Sequence, residues 1–139
     1  GVMFLRSRRM AREALDSQGY AASVLRVTSF DGGIEGYGDI AGPYTVSTEF
    51  TAQAAVAGIH GANDVLQQIL PLQETNGRYV GAFRGAADHW YGGQLTPWST
   101  TMPGVSPTAW AYFAFAGDPL WHRVPGTVWL PVTVRRERF

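Results

Sequence analysis

The sequence predicts a mainly α-helical fold with long aromatic loops and a short β segment near its carboxyl end. Residues 3–16 and 47–75 carry apolar side chains at helical spacing. Residues 109–116 are almost wholly apolar and lie between signals for a helix start and a helix stop. Residues 128–134, VWLPVTV, alternate as a strand does, and Pro131 should confine this strand to a sheet edge. With 139 residues, the chain is expected to form one domain.

The first predicted helix covers residues 3–16, and Gly19 is expected to end it. Residues 20–30 are rich in β-branched side chains and are ambiguous between a strand and an extended crossing. Residues 31–43 form a predicted glycine-rich loop with three carboxylates. Because this loop lacks both a GxGxxG register and a lysine, we do not expect it to bind a nucleotide.

Residues 47–75 are predicted to form a helical hairpin. Ser47 or Thr45 caps its first helix, which is rich in alanine and therefore suited to the close approach of a neighbouring helix. A glycine turn follows, and Asn63 is expected to cap the second helix. Pro71 should kink or interrupt that helix, because proline removes a backbone donor and clashes with the preceding turn.

The last predicted helix has the clearest boundaries. Ser106 is a suitable N-cap, and Pro107 would occupy the first helical position, where proline is best tolerated. Gly117 can adopt the left-handed conformation after the last turn, and Pro119 prevents continuation. Since residues 109–116 are apolar all round, we expect this helix to be buried on most sides.

The charges are segregated along the chain, although the formal net charge is zero. The arginines concentrate near both ends, whereas residues 27–118 carry eight carboxylates and only Arg78 and Arg84. An acidic, aromatic middle argues against binding to nucleic acid, whose phosphates require a basic surface. Cysteine is absent, which excludes disulfides and thiolate chemistry.

Compartment and membrane topology are only partly constrained. No apolar run reaches the length of a membrane span, so no transmembrane segment is expected. The amino-terminal residues do not read as a signal peptide, because their arginines follow the short apolar patch instead of preceding it. An extracellular and a cytoplasmic location both remain open.

Three segments resemble the closing part of a six-hairpin glycosidase-like (α/α) toroid. Residues 46–55 are similar to a recurring inner-helix start in that superfamily, and residues 66–77 resemble the helix and turn that follow. Residues 107–119 are similar to the last inner helix. The segments read VSTEFTAQAA, LQQILPLQETNG and PTAWAYFAFAGDP.

The resemblance implies helical hairpins arranged in a ring around a central funnel, and a carbohydrate-active protein of the glycoside hydrolase type. Phe50 departs from the pattern, which usually has glycine there, and it would narrow the space beside Glu49. A ring of twelve average helices needs on the order of 200 residues. The chain is therefore expected to be a fragment, one subunit of an oligomeric or complementary ring, or a smaller fold that reuses the hairpin.

Glycoside hydrolysis requires two carboxyl groups that flank the scissile bond. Glu49 is the first candidate, since the resemblance places it at the mouth of an inner helix. An acid in a first helical turn also favours the helix dipole without any catalysis. Asp88 is the second candidate because it adjoins His89 and Trp90 in an aromatic stretch. A surface aspartate beside a packed histidine is the alternative interpretation.

Under a carbohydrate-active function, the candidate substrate-binding residues are aromatic and imidazole side chains: Tyr37, His89, Trp90, Trp98 and Trp110. Trp98 lies in a proline- and threonine-rich loop, where a large aromatic is harder to explain as core. Trp110 lies on an apolar helix, so core packing competes with sugar stacking.

No metal or cofactor is expected. The three histidines lack the spacing of a zinc site, and no nucleophile-elbow motif is present. Glu35 and Asp39 are four residues apart in the glycine-rich loop, where they could flank a ligand or bind calcium, or simply serve as turn-forming acids.

Two functions follow from these observations. The first is cleavage of a neutral or acidic polysaccharide by paired carboxylates, with aromatic platforms for the sugar. The second is a non-catalytic helical module that uses the same aromatics to bind a glycan or a partner subunit. The short chain favours the second unless copies assemble and complete the site.

Overall fold

A computed structural model of the chain describes residues 2–30, 32–38, 45–87 and 101–117. This part of the chain is mainly helical and contains one two-stranded sheet, so the predicted helical class is confirmed. The predicted carboxyl-terminal strand lies outside the described residues. In chain order the elements are α1 (Val2–Ser7), α2 (Ala11–Tyr20), a π-helical segment (Ala21–Leu25), β1 (Arg26–Thr28), β2 (Glu35–Tyr37), α3 (Thr48–Val56), α4 (Ala62–Leu66), a 3-10 helix (Gln67–Leu72) and α5 (Val105–Phe115).

The amino-terminal helical region is divided into two helices, which corrects the prediction of one helix over residues 3–16. The chain turns at Arg9, which adopts the left-handed conformation with φ of 61°. The Met10 N–H then donates to the carbonyl oxygen of Leu5, closing the end of α1. The predicted stop at Gly19 is also wrong, since α2 continues through it and passes into the π-helical segment. One glycine costs a helix only about 1 kcal/mol, which packing can offset.

The two strands form an antiparallel pair in which Arg26 lies opposite Tyr37 and Thr28 lies opposite Glu35. This pairing settles the ambiguity over residues 20–30, whose first part is helical and whose last part is a strand. It also places a strand inside the predicted glycine-rich loop. The Tyr37 N–H donates to the buried Oγ1 of Thr51 at 2.9 Å, which attaches the sheet to α3.

The first helix of the predicted hairpin is confirmed, including its cap. The Oγ of Ser47 accepts a hydrogen bond from the Phe50 N–H at 3.3 Å, as an N-cap serine does. After α3 the chain turns through Gly58 and Gly61, which have φ of 64° and 75°. Positive φ is costly for residues with a Cβ atom, so glycine fits both positions.

The second helix of the hairpin is shorter than predicted. It begins directly after Gly61, so Asn63 lies inside α4 and does not cap it. The α-helical geometry ends at Leu66 and is followed by a 3-10 helix that contains Pro71. The expected interruption is therefore confirmed, and it comes one turn before the proline. Gly77 then has φ of 80°, as the predicted turn requires.

α5 begins at Val105, with Gly104 as its N-cap and no side-chain capping bond. The predicted cap at Ser106 is wrong, and Pro107 occupies the third helical position instead of the first. Gly117 has φ of 77°, which confirms the predicted left-handed end. The helix is buried along one side only, since Tyr112 is 52% exposed. The apolar composition of α5 therefore predicted more burial than the helix has.

The described core consists of two clusters separated by α3. The first lies between α3, the 3-10 helix and α5, and the second lies between α3, α4 and the sheet. None of the described helices combines the length and the apolar character that a membrane crossing requires. The first cluster is formed by Val46, Leu66, Ile69, Leu72, Phe83 and Ala111, and the second by Tyr37, Ala54, Ile59, Ala62 and Val65.

Candidate functional site

A pocket of about 450 Å³ lies along α3. α1 contributes Val2 and Met3 to its wall, α3 contributes Phe50 and Gln53, and α5 contributes Trp110. The other described lining residues come from the π-helical segment, the sheet and the end of α3, and none of the described lining residues carries a charged side chain. The volume falls within the range of small-ligand sites, which are largely apolar with a few placed polar groups.

Gln53 supplies the side-chain amide of this pocket. Its Nε2 donates to the Oε1 of Glu49 at 2.9 Å, one turn earlier on the same face of α3. Both side chains are half-buried. Glu49 also lies in the first turn of the helix, where a carboxylate interacts favourably with the helix dipole. The first predicted catalytic residue is therefore linked to the pocket through Gln53.

Trp110 and Phe50 supply large aromatic surface. Trp110 is half-buried and packs edge-on against Phe113, with ring centroids 6.0 Å apart and an interplanar angle of 89°. Phe50 is 39% exposed. Trp110 therefore fits both interpretations, as a core residue and as a ligand platform, because it packs within α5 and also lines the pocket.

Tyr37 lines the same pocket but is almost fully buried, with 2% of its surface exposed. Its hydroxyl donates to the carbonyl oxygen of His60 at 3.3 Å. Burial raises the pKa of Tyr37 above its usual value, since the phenolate would lose solvation, and Arg26 offsets part of this shift. The ring has no free face of the kind that a predicted sugar platform requires, so its role in this structure is to support the pocket.

The start of α3 is joined to the segment that leads towards Asp88. The Thr48 N–H donates to the carbonyl oxygen of Gly85, and the Ala87 N–H donates to that of Val46, both at 3.0 Å. Ala87 is the last described residue before Asp88. These bonds place residues 85–87 beside the amino terminus of α3, the helix that carries Glu49.

The remaining sequence candidates are divided between the described and undescribed parts of the chain. Glu35 forms an ion pair with Arg26, whose Nε lies 2.9 Å from Oε1, and this hydrogen bond raises the pKa of Arg26. Within the described ranges, no group of three metal-ligating side chains comes together. Asp39, Asp88, His89, Trp90 and Trp98 lie outside the described residues.

Sequence reasoning missed two elements of the pocket. Gln53 was not singled out, although its spacing of four residues from Glu49 places both side chains on one helix face. The contribution of α1 through Val2 and Met3 had no local signal, because it depends on contacts between distant parts of the chain.

Comparisons with known protein families, with curated proteins and with solved structures give no match for this chain. The resemblance to six-hairpin toroids therefore stays a prediction from the residues that suggested it.

Proposed function

We propose that this chain is a carbohydrate-active protein and that the pocket along α3 binds a sugar. One observation carries the proposal: Trp110, Phe50 and Gln53 line a single pocket, and Gln53 is hydrogen-bonded to Glu49. Aromatic rings present apolar faces to the C–H surface of a sugar, while amide and carboxylate groups can pair with its hydroxyls. The resemblance to glycosidase-like toroids supports the same class of ligand.

The proposed architecture is part of an (α/α) ring in which α3 is an inner helix. A second copy or a complementary subunit would supply further helices and close the funnel around the pocket. Light scattering tests this part of the proposal through the solution mass of the protein. A strict monomer that forms no complex would contradict a ring-built site.

Binding is tested by titrating the protein with a panel of neutral and acidic oligosaccharides while recording two-dimensional NMR spectra. We expect a binding ligand to shift the indole N–H signal of Trp110. Trp110→Ala should weaken binding by at least about tenfold, given the 0.5–1.5 kcal/mol of an aromatic contact and its lost area. Tyr112→Ala, on the exposed side of the same helix, is the control. Binding that leaves Trp110 unshifted would place the sugar elsewhere.

Hydrolysis is the second candidate, and the hydrogen bonds between residues 46–48 and 85–87 favour it. They hold residues 85–87 beside the helix start that carries Glu49, and Asp88 is the next residue in the sequence. In the proposed reaction one carboxyl group protonates the glycosidic oxygen as its bond to the anomeric carbon breaks. Water supplies the hydroxyl that ends on that carbon, and its remaining proton returns to the carboxyl pair.

The two candidates are separated by Glu49→Gln and Asp88→Asn. If the protein is a hydrolase, both changes should abolish turnover of a polysaccharide panel and leave binding intact. An unmutated protein that binds glycans and cleaves none of them would instead be the non-catalytic module. Reducing-end assays of the wild type and both variants give the answer directly.

A further inference from the structure

We infer that the pocket selects an uncharged glycoside bearing an alkyl or aryl group, and that Gln53 is the residue that orients it. This inference rests on the proposed function, since it specifies the ligand of the same pocket. Three features carry it: the uncharged side chains of the described lining residues, their largely apolar character, and the fixed direction of the Gln53 amide.

The first feature is charge. None of the described lining residues is ionised at neutral pH, and the raised pKa of Tyr37 keeps its phenol in the neutral form. Described charges lie close to this lining at the two ends of α3, and Arg26, Glu35 and Asp64 are near enough to Tyr37 to affect its pKa. Glu49 is beside Gln53, and the Arg6 guanidinium donates to the carbonyl oxygen of Ala57 at 3.0 Å. An anionic sugar at Gln53 would meet the Glu49 carboxylate, which disfavours like charge.

The second feature is the apolar wall. Met3, Phe50, Ala54, Ile59 and Trp110 all contribute to the lining. A plain sugar has hydroxyl groups around its whole edge, and those that faced this wall would lose their hydrogen bonds to water. A glycoside with an alkyl or aryl group would place that group against the wall and keep its hydroxyls near Gln53.

The third feature is the direction of the Gln53 amide. A carboxylate only accepts hydrogen bonds, so Gln53 must turn its NH₂ group towards Glu49. If the amide were flipped, the Oε1 of Gln53 and the carboxylate oxygen of Glu49, both acceptors, would face each other. The Oε1 and the second N–H of Gln53 have no other partner among the described residues. They are therefore available to accept from one ligand hydroxyl and to donate to another, with Glu49 as the positioning residue.

The test uses matched glycosides of glucose, galactose, mannose and xylose. For each sugar, binding of the 4-nitrophenyl glycoside is compared with that of the methyl glycoside. The 4-nitrophenyl uronides of the glucose and galactose series supply a negative charge. We expect the aryl glycosides to bind at least about tenfold tighter than the methyl glycosides, from the area that the ring buries. We expect the uronides to bind more weakly than their neutral counterparts.

Gln53→Leu, which keeps the side-chain volume, should weaken binding of the best aryl glycoside by about tenfold. Gln67→Leu, at an exposed glutamine, is the matched control. Glu49→Leu should also weaken binding, because it frees the amide. Glu49→Gln should restore binding, since its carbonyl oxygen can still accept from Gln53. A merely structural role of Glu49 would not show this rescue.

Three results would overturn the inference: uronides that bind as tightly as neutral glycosides, methyl glycosides that match aryl ones, or full affinity in Gln53→Leu. Preferential uronide binding would direct attention to Arg6. If neutral oligosaccharides bind and shift Trp110 while these contrasts are absent, the inference fails and the proposed function stands. If no saccharide of either panel binds, both fail.

Discussion

The hydroxyl of Thr48 donates to the main-chain carbonyl oxygen of Arg84 at 2.6 Å, in a site where Thr48 is fully buried. This bond joins the first residue of α3 to a segment 36 residues later in the chain. Together with the main-chain bonds from Thr48 to Gly85 and from Ala87 to Val46, it holds residues 84–87 against the helix start that carries Glu49. A buried hydroxyl therefore contributes to the position of this helix start.

Thr48→Val should lower the free energy of unfolding by about 0.5–1.5 kcal/mol, because it removes the hydrogen bond that the buried Thr48 hydroxyl donates to the Arg84 carbonyl oxygen. Valine keeps the shape of threonine, so the change isolates the hydrogen bond. Thr48→Ser retains the hydroxyl and should cost less. Urea denaturation of the three proteins measures the difference, and equal stability of the valine and wild-type proteins would contradict the proposed importance of the bond.

Gly36→Ala should destabilise the fold strongly. A Cβ atom there would lie 2.6 Å from both the Thr51 Oγ1 and the Val46 Cγ1, inside a packed region. Overpacking of this kind costs about 1–3 kcal/mol, and displacement of Thr51 would add the loss of its bond to Tyr37.

Gly19→Ala is the matched control, because the added Cβ meets nothing within 4 Å and lies inside α2. This change should stabilise the protein by up to about 1 kcal/mol, from the higher helix propensity of alanine. Thermal unfolding should give a lower Tm for Gly36→Ala and a higher Tm for Gly19→Ala than for the wild type. Equal effects at the two glycines would show that β2 does not approach α3 this closely.

The buried Tyr37 should make stability fall at alkaline pH. Burial raises its pKa in the folded protein above the usual 10.0. Below about pH 10, neither state releases the proton and stability is unaffected. As the pH rises further, the unfolded chain ionises first, so the free energy of unfolding falls until the folded pKa is passed.

Tyr37→Phe should remove this decline, whereas Tyr20→Phe, at an exposed tyrosine, should retain it. The measurement is urea denaturation between about pH 9 and 11, where the unfolded phenol titrates. Absorbance titration of the folded protein should show one fewer late-ionising phenol in Tyr37→Phe. An unchanged slope in that variant would mean that another group causes the decline.

Arg6→Met should loosen α1. This helix has no buried residue, and its Arg6 side chain provides a hydrogen bond to the end of α3. Loss of about 0.5–1.5 kcal/mol would speed amide exchange in α1 by roughly two- to tenfold. Arg12→Met changes an exposed arginine of α2 and should leave exchange in α1 unchanged. Hydrogen-exchange mass spectrometry resolves the two helices.

The local signals of the sequence predicted much of the backbone around α3. Of the two predicted caps, Ser47 is the one that begins α3. Gly58 and Gly61 lie in the expected turn, and Gly117 adopts the expected left-handed conformation. Each of these features is decided within a few residues, by a capping side chain or by a missing Cβ. The break at Arg9 was missed, because arginine is a good helix former and gives no stop signal.

Such local signals could not predict the contacts between distant parts of the chain. The pairing of β1 with β2 and the burial of Tyr37 depend on where α3 packs, and the neighbouring residues do not encode this. For the same reason, Glu49 could be named from the sequence while its link to the pocket through Gln53 could not. The start of α5 at Val105 shows how a backbone glycine cap can replace a serine that looks better suited.

The bridges that surround Ser47 also bear on how the chain folds. Ser47 pairs with Tyr37 on one side and with Ala86 on the other, so three separated segments must meet at the start of α3. Closing the intervening loops costs conformational entropy before the contacts form. A contact order raised in this way slows folding relative to a simple helical bundle. An isolated α3 peptide, only nine residues long, should have little helix of its own in water, so this helix would form together with its partners.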